Sequence, residues 1–373
     1  MCIAIWSPKT QLGYRLILAS NRDEFLSRPS LPAHLHSFAP IHPDVQAPPS
    51  STAPEDPTTQ DCRQIIKEGS EDPSSLSDEI LSGRDAIAGG TWLGIHKETG
   101  RFGFLTNLTP PLNHIPTLDD DDGQDQEVEP SVPLISRGLI IQEFLAGNLA
   151  VHSYLDHLKS SRLSTKMNGY NLVIGQLARN ADEQDRIGFF CNRNPDRIDH
   201  HFADFSSNHH HQTSSDPQAP LVYAISNGIA CKPPIWPKVS QGIRLMEECL
   251  RKIRTDTSCP QGAPTDLETE LFDLISTTND STDDIPSNIL IRPYHRLSTP
   301  EASASHETWY GTKTQTIVLV SQTFPATITF VERDAFQIQP PDDPPGSYSL
   351  GSPVWMGDQR SRWRRFEFQF PAS

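Results

Sequence analysis

Long apolar runs and basic charge are what this chain has least of. Only 35% of its 373 residues are hydrophobic, and no stretch approaches the ~20 consecutive apolar residues that cross a bilayer. Lysine and arginine together number 31 against 47 acidic residues, which gives a net charge of −16. Nucleic acids and anionic membranes attract basic proteins, so this balance argues against nucleic-acid binding and predicts membrane contact that is at most peripheral.

Cysteine is also sparse, and its spacing suggests no pairing. The six cysteines form no Cys-x-x-Cys pair and none of the spacings of a secreted disulfide-rich domain. We therefore expect reduced thiols, no metal site and no resident cofactor. The amino-terminal segment lacks a basic stretch leading into an apolar core, so it does not resemble a secretory signal. These features favour a cytoplasmic location, with mitochondrial import by another route left open.

Four segments are rich in Pro, Ser, Thr and Asp and predict disordered inserts in a single domain over residues 1–339. The fourth insert contains a predicted short helix over Leu267 to Ile275. A Pro- and Gly-rich tail over 340–373 ends in alternating aromatic residues, which predict an edge strand or a docking segment. The inserts lie near residues 40–84, 115–130, 195–219 and 256–287.

The ordered blocks between the inserts predict an α+β fold. Strands are expected at 91–96, 102–106, 170–176, 187–192, 222–226, 314–320 and 326–331, and helices at 132–145, 151–159 and 243–253. This grouping of strands and helices favours a sandwich over an alternating Rossmann layout. No phosphate-binding glycine motif occurs at a predicted strand-to-helix junction.

Cys2 carries the most informative chemistry of the sequence. Initiator methionine is usually removed before a small residue, so the mature chain would begin with a thiol and a free α-amine on one residue. The thiol has an ordinary pKa near ~8.5 and the α-amine near ~7.7 to 8.0, so the amine can accept the thiol proton near neutral pH. The alternative is a small buried residue in a first strand.

Two apolar runs, residues 2–6 and 14–19, flank a polar turn and predict an antiparallel hairpin. If the turn is centred near Thr10, Cys2 lies across from residues 19–20. The polar residues that follow, Asn21-Arg22-Asp23-Glu24, would then come close to Cys2.

Arg22 and Asp23 are the charged residues that this hairpin predicts beside the nucleophile. Arg22 would lower the pKa of the thiol, and Asp23 would hold the α-ammonium or receive its proton. The alternative is a polar strand end with an exposed ion pair.

Short blocks in a fixed order run along nearly the whole chain. They are Cys2, Asn21-Arg22-Asp23-Glu24, Gly89-Gly90-Thr91-Trp92-Leu93-Gly94, Leu105-Thr106-Asn107, Gly169-Tyr170-Asn171-Leu172, Ser226-Asn227, Trp236-Pro237-Lys238 and Tyr310-Gly311-Thr312-Lys313-Thr314. This set closely resembles the NRDE family, also called the transport and Golgi organisation protein 2 family. The resemblance implies an N-terminal nucleophile hydrolase-like fold, four layers ordered αββα, near the cysteine enzymes that open linear amide bonds.

Asparagines that follow predicted strands are candidate oxyanion donors. An amide donor aimed at a developing oxyanion can contribute ~2.7 to 4 kcal/mol. By resemblance to the amide-opening cysteine hydrolases, Asn107 and Asn227 are the better candidates, with backbone capping as the alternative for each. Asn171 is expected either to contact substrate or to satisfy a buried turn.

Three further residues are expected to contact substrate. Asn21 brings an amide to the predicted site, and Trp92 offers either a rigid pocket wall or a core ring. Lys313 stands where relatives show Arg in Tyr-Gly-Thr-Arg-Thr; it keeps the charge but lacks the planar fork that binds a carboxylate through two hydrogen bonds.

Two functions remain open from the sequence. As an enzyme, the chain would hydrolyse a linear amide or thioester, with attack by Cys2, proton transfer through its α-amine, and the oxyanion held by Asn227 and Asn107. Alternatively, the resemblance implies a protein of secretory transport and Golgi organisation that binds a small-molecule or acyl ligand, or carries lipid or haem, since a thiol also ligates haem iron. A Golgi-associated location would suit that second role.

Overall fold

The computed structural model describes residues 2–8, 10, 12–38, 79–109, 135–161, 166–194, 220–230, 232–255, 264–279, 284–297, 307–339 and 351–371. The predicted inserts at 115–130 and 195–219, together with 40–78 and 256–263 of the other two, lie outside these described residues.

Fifteen strands and four helices form within the described ranges. The strands are β1 (Ile3–Pro8), β2 (Tyr14–Phe25), β3 (Ser30–His36), β4 (Ile80–Asp85), β5 (Leu93–His96), β6 (Arg101–Asn107), β7 (Tyr170–Gln176), β8 (Arg186–Cys191), β9 (Tyr223–Ile225), β10 (Tyr294–Leu297), β11 (Glu307–Ser321), β12 (Ala326–Asp334), β13 (Phe336–Gln339), β14 (Ser352–Trp355) and β15 (Arg364–Phe370). The helices are α1 (Gly138–Ala146), α2 (Val151–Ser160), α3 (Pro237–Thr255) and α4 (Pro264–Ile275).

Two antiparallel sheets organise these strands. The first sheet has the order β15-β12-β11-β2-β1-β9, with β10 also paired to β11, and the second has the order β3-β4-β5-β6-β7-β8. Strands β13 and β14 form a separate pair. The chain is therefore a mixed α/β protein with antiparallel sheets, and β1 is the second strand from one edge of the first sheet, between β2 and the edge strand β9.

The two sheets face each other and each carries two helices on its outer face. Trp6 of the first sheet packs on Phe104 of the second, with ring centroids 5.3 Å apart. On the outer side of the first sheet, Ile17 belongs to a cluster that includes residues of α3 and α4. On the outer side of the second sheet, Leu172 belongs to a cluster that includes residues of α1 and α2.

Strand alternation assigns the residues of β1 to two environments. Ile3 and Ile5 pack toward the helices, whereas Ala4 and Trp6 pack toward the second sheet. The contact with α3 is close, because a Cβ added to Gly242 would lie 2.7 Å from Cδ1 of Ile5. Glycine at this position therefore lets the helix backbone approach the strand.

The structure corrects the predicted insert over 40–84, because residues 80–84 belong to strand β4. Ile80 and Leu81 are buried, and the polar residues that made the segment resemble a linker are paired inside the fold. Ser82 contacts His36 at 2.8 Å, and Arg84 donates to the carbonyl of Gly89.

The structure also corrects the predicted ends of two other segments. In the fourth insert, helix α4 over residues 264–275 begins three residues before the short helix expected there, and residues 285–287 form a separate 3-10 turn. The tail after residue 340 returns to the domain, because β15 pairs with β12 from Ala326↔Phe370 to Glu332↔Arg364. The aromatic alternation of the tail is thus that of an edge strand, one of the two outcomes predicted.

Candidate functional site

Cys2 lies at the start of β1, with a strand on either side. The pairs Ile3↔Asn21 and Ala4↔Ile225 fix the two registers. Extending the first register by one step and the second by two steps along β1 sets Cys2 opposite Arg22 on one side and Asn227 on the other. The hairpin was predicted with Cys2 across from residues 19–20; the register differs because β1 continues through Pro8, which moves the turn toward residue 12.

The nucleophile candidate is buried and held by its own backbone. Cys2 is 7% exposed, and its carbonyl accepts a hydrogen bond of 2.8 Å from the Ser226 hydroxyl. Residues directly opposite in antiparallel strands share a face, so the side chains of Cys2, Arg22 and Asn227 lie toward the second sheet.

Arg22 is a buried guanidinium with spare donor capacity. Its guanidinium stacks over the Trp92 ring at 4.0 Å, and Nη2 lies 3.6 Å from Oδ2 of Asp85 and 3.9 Å from Oε2 of Glu24. Among the described residues, Nη1 is buried without a hydrogen-bond partner. A buried donor without a partner is costly, so Arg22 is suited to face a negative charge that a ligand or a thiolate brings.

Asp23 lies one residue further along β2, where alternation turns its side chain toward the helices. The Thr312 hydroxyl donates to its Oδ1 at 2.6 Å, and the Tyr310 hydroxyl donates to its backbone carbonyl at 3.1 Å. Burial raises the pKa of Asp23, while the ammonium of Lys238 and the Thr312 hydrogen bond act in the opposite direction. The carboxylate is thus held firmly beside the start of β1.

Lys238 is one of the side chains at this site whose role the sequence did not predict. It is fully buried in the first turn of α3, and its Nζ has no hydrogen-bond partner among the described residues. Burial lowers its pKa, and the nearby negative charge of Asp23 and of a Cys2 thiolate opposes that shift. Two buried ionisable groups of opposite sign therefore lie on the helix side of Cys2.

Asn227 and Asn107 meet across the two sheets. Nδ2 of Asn227 donates to the backbone carbonyl of Asn107, and the backbone NH of Thr109 donates to the carbonyl of Asn227 at 2.9 Å. The Asn107 side chain is half-buried and makes no hydrogen bond within the described ranges. One of the two amide hydrogens of Asn227 is therefore bound to the backbone of Asn107, and both asparagine side chains retain N–H donors.

Asn171, expected either to contact substrate or to satisfy a buried turn, is hydrogen-bonded to the backbone of the segment after β9. Its side chain is fully buried, and Nδ2 donates to the carbonyls of Ser226 and Gly228 at 2.9 and 2.8 Å. Its Oδ1 accepts from the Ala230 NH at 3.3 Å. The amide is fully used in holding the segment after β9, which is the buried-turn alternative.

Asn21 likewise lies away from the predicted contact, on the helix side of the first sheet. Its Nδ2 donates to the carbonyls of Ile275 and Ile289 at 2.8 and 2.9 Å, and its Oδ1 accepts from Gln315. The alternation of β2 explains this, because Asn21 and Arg22 point to opposite faces.

Lys313 comes close to the site but is bound to the backbone. It lies at an irregularity in the pairing of β11 with β2, between Thr312↔Asp23 and Thr314↔Arg22. Its Nζ donates to the carbonyls of Leu26 and Arg28. Burial, with Arg22 nearby, lowers the pKa of Lys313 to about 8.

Further charged residues form the outer part of the site. Arg28 binds both oxygens of Asp85, at 2.7 and 3.2 Å. Burial alone would raise the pKa of Asp85, but the hydrogen bond and the charge of Arg28 hold it below its usual range. Arg137, just before α1, donates to the carbonyl of Gly169 at 3.1 Å. Burial lowers the pKa of Arg137, against the opposing influence of Cys2 and Glu24.

Sequence reasoning missed the roles of Arg137, Ser226 and Lys238 at this site. Lys238 carried a usable signal: it follows Pro237, and proline commonly opens a helix, whereas a cation in the first turn opposes the helix dipole. A lysine there needs another reason to be present. Arg137 follows an insert and carried no such signal.

A small pocket lies next to Ser226, on the segment between β9 and α3. Its empty volume is about 270 Å³, including space open to solvent, and its lining is mainly apolar, with Gly228, Ile229, Ala230 and Trp236 among the residues. In the part of the chain that the structure describes, no group of three or more potential ligands is arranged to hold a metal ion. Nor do the described helices include one with the length and apolar composition of a membrane span.

Fold and site together define a mixed α/β protein with an amino-terminal cysteine set among buried charged residues. The family model described as Transport and Golgi organisation 2 matches residues 1–48 and 70–337, and the chain belongs to this family. Relatives named Transport and Golgi organization 2 homolog are 27% identical in Mus musculus, over 89% of this chain and 92% of the relative, and 28% identical in Homo sapiens, with the same coverage. The Bos taurus homologue is 27% identical over 91% and 95%.

A solved structure also aligns with the chain from end to end. It is a mutant conjugated bile acid hydrolase from Clostridium perfringens, with 100% of this chain and 98% of that chain covered, 8% identity and a TM-score of 0.32. Similarity at this level supports no statement about activity or substrate.

Proposed function

We propose that this chain is a cysteine hydrolase of linear amide or thioester bonds, with an N-terminal nucleophile hydrolase-like αββα sandwich as its scaffold and Cys2 as its nucleophile. The observation that carries the proposal is the register of β1, which sets Cys2 between Arg22 and Asn227. A purely structural role does not explain why a thiol at the start of a strand has buried charged residues, Arg22 and Asp23, on opposite faces of the sheet.

The reaction begins with proton transfer within Cys2. After removal of Met1, the neutral α-amine accepts the thiol proton, and the thiolate attacks the carbonyl carbon of the substrate. The tetrahedral intermediate collapses as the C–N or C–S bond breaks, and the α-ammonium returns the proton to the leaving amine or thiol. Water then hydrolyses the acyl-thioester, with the same amine accepting its proton.

Two amide groups are suited to the oxyanion of the intermediate. Asn107 retains both amide hydrogens of its side chain and Asn227 retains one, and both asparagines border the junction where the two sheets meet. Donors that are already fixed contribute most, because they need no reorganisation during the reaction. Trp92 would form a wall of the site, since its ring already packs against Arg22.

The charge around Cys2 favours a substrate with a negative group. Arg22, Arg28 and Arg137 lie on the side toward the second sheet, with Glu24 and Asp85 as their acidic neighbours. The chain as a whole carries −16, so a group of three arginines with only two acidic neighbours stands out against the rest of the molecule. An anionic acyl compound, such as one with a free carboxylate, is the substrate class that such a pocket attracts.

Selective labelling of Cys2 tests this proposal. A thioester or activated-amide probe is added to the Met-processed full chain, and acylated peptides are quantified by mass spectrometry over time. Cys2 should react fastest. Cys191 and Cys249 are internal controls, because both are buried and burial raises their thiol pKa, to about 12 for Cys249. Equal labelling of all cysteines, or no turnover of the Cys2 acyl group, would contradict the proposal.

The names of the relatives support a second role, in transport and Golgi organisation. The chain would serve it either through hydrolysis or by binding a lipid, acyl or haem ligand. Cells depleted of their own family member separate these cases when rescued with wild-type chain or with Cys2→Ser. Restored secretion with Cys2→Ser would assign the transport role to binding, whereas rescue by the wild type alone would link it to the thiol.

A further inference from the structure

Lys238 has an environment that its structural role in α3 does not explain. A cation in the first turn of a helix faces the positive end of the helix dipole, and α3 has no acidic residue in that turn to offset it. The side chain is also fully buried, and its Nζ lacks a hydrogen-bond partner among the described residues. Such a residue costs stability, so its position calls for a functional explanation.

The geometry of α3 brings Lys238 to the start of β1. Helix α3 packs on β1 and β9, and Gly242 sits directly over Ile5, with Ile3 also close by. Lys238 lies one helical turn before Gly242. It is near enough to both Asp23 and Cys2 for their charges to act on it.

The backbone nitrogen of Cys2 lies in the same region. Because β1 and β2 are antiparallel, Cys2 lies opposite Arg22. The backbone nitrogen of Cys2 therefore lies on the side of Asp23, the next residue of β2. Once Met1 is removed, this nitrogen becomes an α-amine. Two potential cations, the α-ammonium and the Lys238 ammonium, then share one buried carboxylate. Lysine ordinarily loses its proton near pH ~10.4 and an α-amine near ~7.7 to 8.0. Burial lowers the pKa of Lys238, but the negative charge of Asp23 opposes that shift, and we take the amine to be the group that loses its proton first.

We infer that Lys238 is a positioning residue for the nucleophile: its ammonium engages the charge of Asp23 and keeps the neighbouring α-amine of Cys2 unprotonated, ready to accept the thiol proton. This inference rests on the proposed hydrolase function and names the group that regulates its base. It assigns Lys238 no contact with substrate.

The other charged groups near Cys2 do not replace Lys238 in this role. These groups come from β2, from β11 on the other side of β2, from the segment before α1 and from the end of β9. They are Arg22, Asp23 and Glu24 from β2, Tyr310 and Lys313 from β11, Arg137 before α1, and from the β9 end only the neutral Asn227. Of the cations, Arg22 lies on the opposite face of the sheet from Asp23, and Lys313 is bound to backbone carbonyls.

A pH titration of the Cys2 α-amine tests the inference directly. The Met-processed chain is labelled with ¹³C-cysteine, the Cys2 signal is assigned by its absence in Cys2→Ser, and its Cα shift is followed with pH. In the wild type the midpoint should fall below the ~7.7 of an ordinary α-amine. Lys238→Met should raise the midpoint by about one unit, which makes the free amine roughly tenfold scarcer at pH 6.5. Lys238→Arg keeps the charge and should retain the lower midpoint.

Several outcomes would overturn the inference. Equal midpoints in the wild type and in folded Lys238→Met would remove Lys238 from this role. If Lys238→Met does not fold, a wild-type midpoint at or above ~8 still contradicts it. A low, Lys238-dependent midpoint without any turnover of a Cys2 acyl group would instead reject the hydrolase proposal and leave the effect of Lys238 on the amine standing.

Discussion

Replacing Asp23 with asparagine should reveal how strongly this carboxylate and Lys238 depend on each other. Both side chains are buried, with Asp23 at 3% and Lys238 at 0% exposure. Asparagine keeps the shape and can still accept the Thr312 hydroxyl, so the change removes mainly the charge. Asp23 and Lys238, both among the described residues, form no direct ion pair, but each charge acts on the other. Removing one of two buried opposite charges leaves the other uncompensated, at a cost of about 3 kcal/mol in unfolding free energy.

A double-mutant cycle measures this dependence. We expect Asp23→Asn and Lys238→Met each to lose about 3 kcal/mol in urea unfolding at pH 7, and the double variant to lose far less than the sum of the two. The resulting coupling should be about 2 kcal/mol or more. The exposed pair Arg244 and Glu248, whose charged atoms are 2.7 Å apart, is the matched control and should couple by no more than about 0.5 kcal/mol.

The pH dependence of Asp23→Asn adds a second check. Without Asp23, burial is unopposed by that carboxylate and lowers the pKa of Lys238 further. The folded state then binds fewer protons than the unfolded state below pH ~10.4, so the stability of the variant should rise with pH up to that value. A coupling as small as that of the surface pair, together with a flat pH profile, would refute the buried charge pair.

Three further predictions concern the site and its support. Arg22→Lys should slow acylation of Cys2 by about tenfold or more at an unchanged melting temperature. An ammonium cannot stack on Trp92 as the planar guanidinium does at 4.0 Å. An unchanged acylation rate would count against a role for Arg22. Ser226→Ala leaves the buried carbonyl of Cys2 without its 2.8 Å hydrogen bond. The change should lower the unfolding free energy in urea by about 1 to 3 kcal/mol and slow the acylation of Cys2. A loss below about 0.5 kcal/mol would show that another donor replaces the Ser226 hydroxyl. Burial lowers the pKa of His36 to about 3, so the unfolded state binds more protons as pH falls below ~6.5 and stability is lost. Between pH 7.5 and 5.5 this histidine should account for about 1.4 kcal/mol of lost unfolding free energy, a loss that His36→Asn should not show.

Strands built on a continuous apolar run could be predicted from the sequence, whereas a strand whose polar residues are paired inside the fold could not. Strand β7 occupies the predicted residues 170–176, because its apolar residues suit a strand buried on both faces. Strand β4 was assigned to an insert, because Ser82 and Arg84 find their partners only in the folded chain. Local sequence shows that a residue is polar, but it does not show whether that residue has a hydrogen-bond partner in the folded chain.

The candidate site was predicted in its residue types but only partly in its geometry. Cys2, Arg22 and Asn227 do lie side by side, whereas Asn21 and Asn171 support the scaffold. A one-residue difference in strand position reverses the face, and no local signal separated Asn21 from Arg22 in this respect. Lys238 reaches the site through the packing of α3 on β1, a contact between segments more than 200 residues apart that no local pattern encodes.

The hydrogen bonds between the two sheets beside Cys2 limit how the site can open. The Thr106 hydroxyl donates to the carbonyl of Ser226 at 2.6 Å, Asn171 donates to the same carbonyl, and Asn227 donates to Asn107. At this edge the sheets cannot separate without breaking all three. The two sheets are therefore fixed to each other beside Cys2, and their separation at this edge limits the size of the group that can reach the thiol.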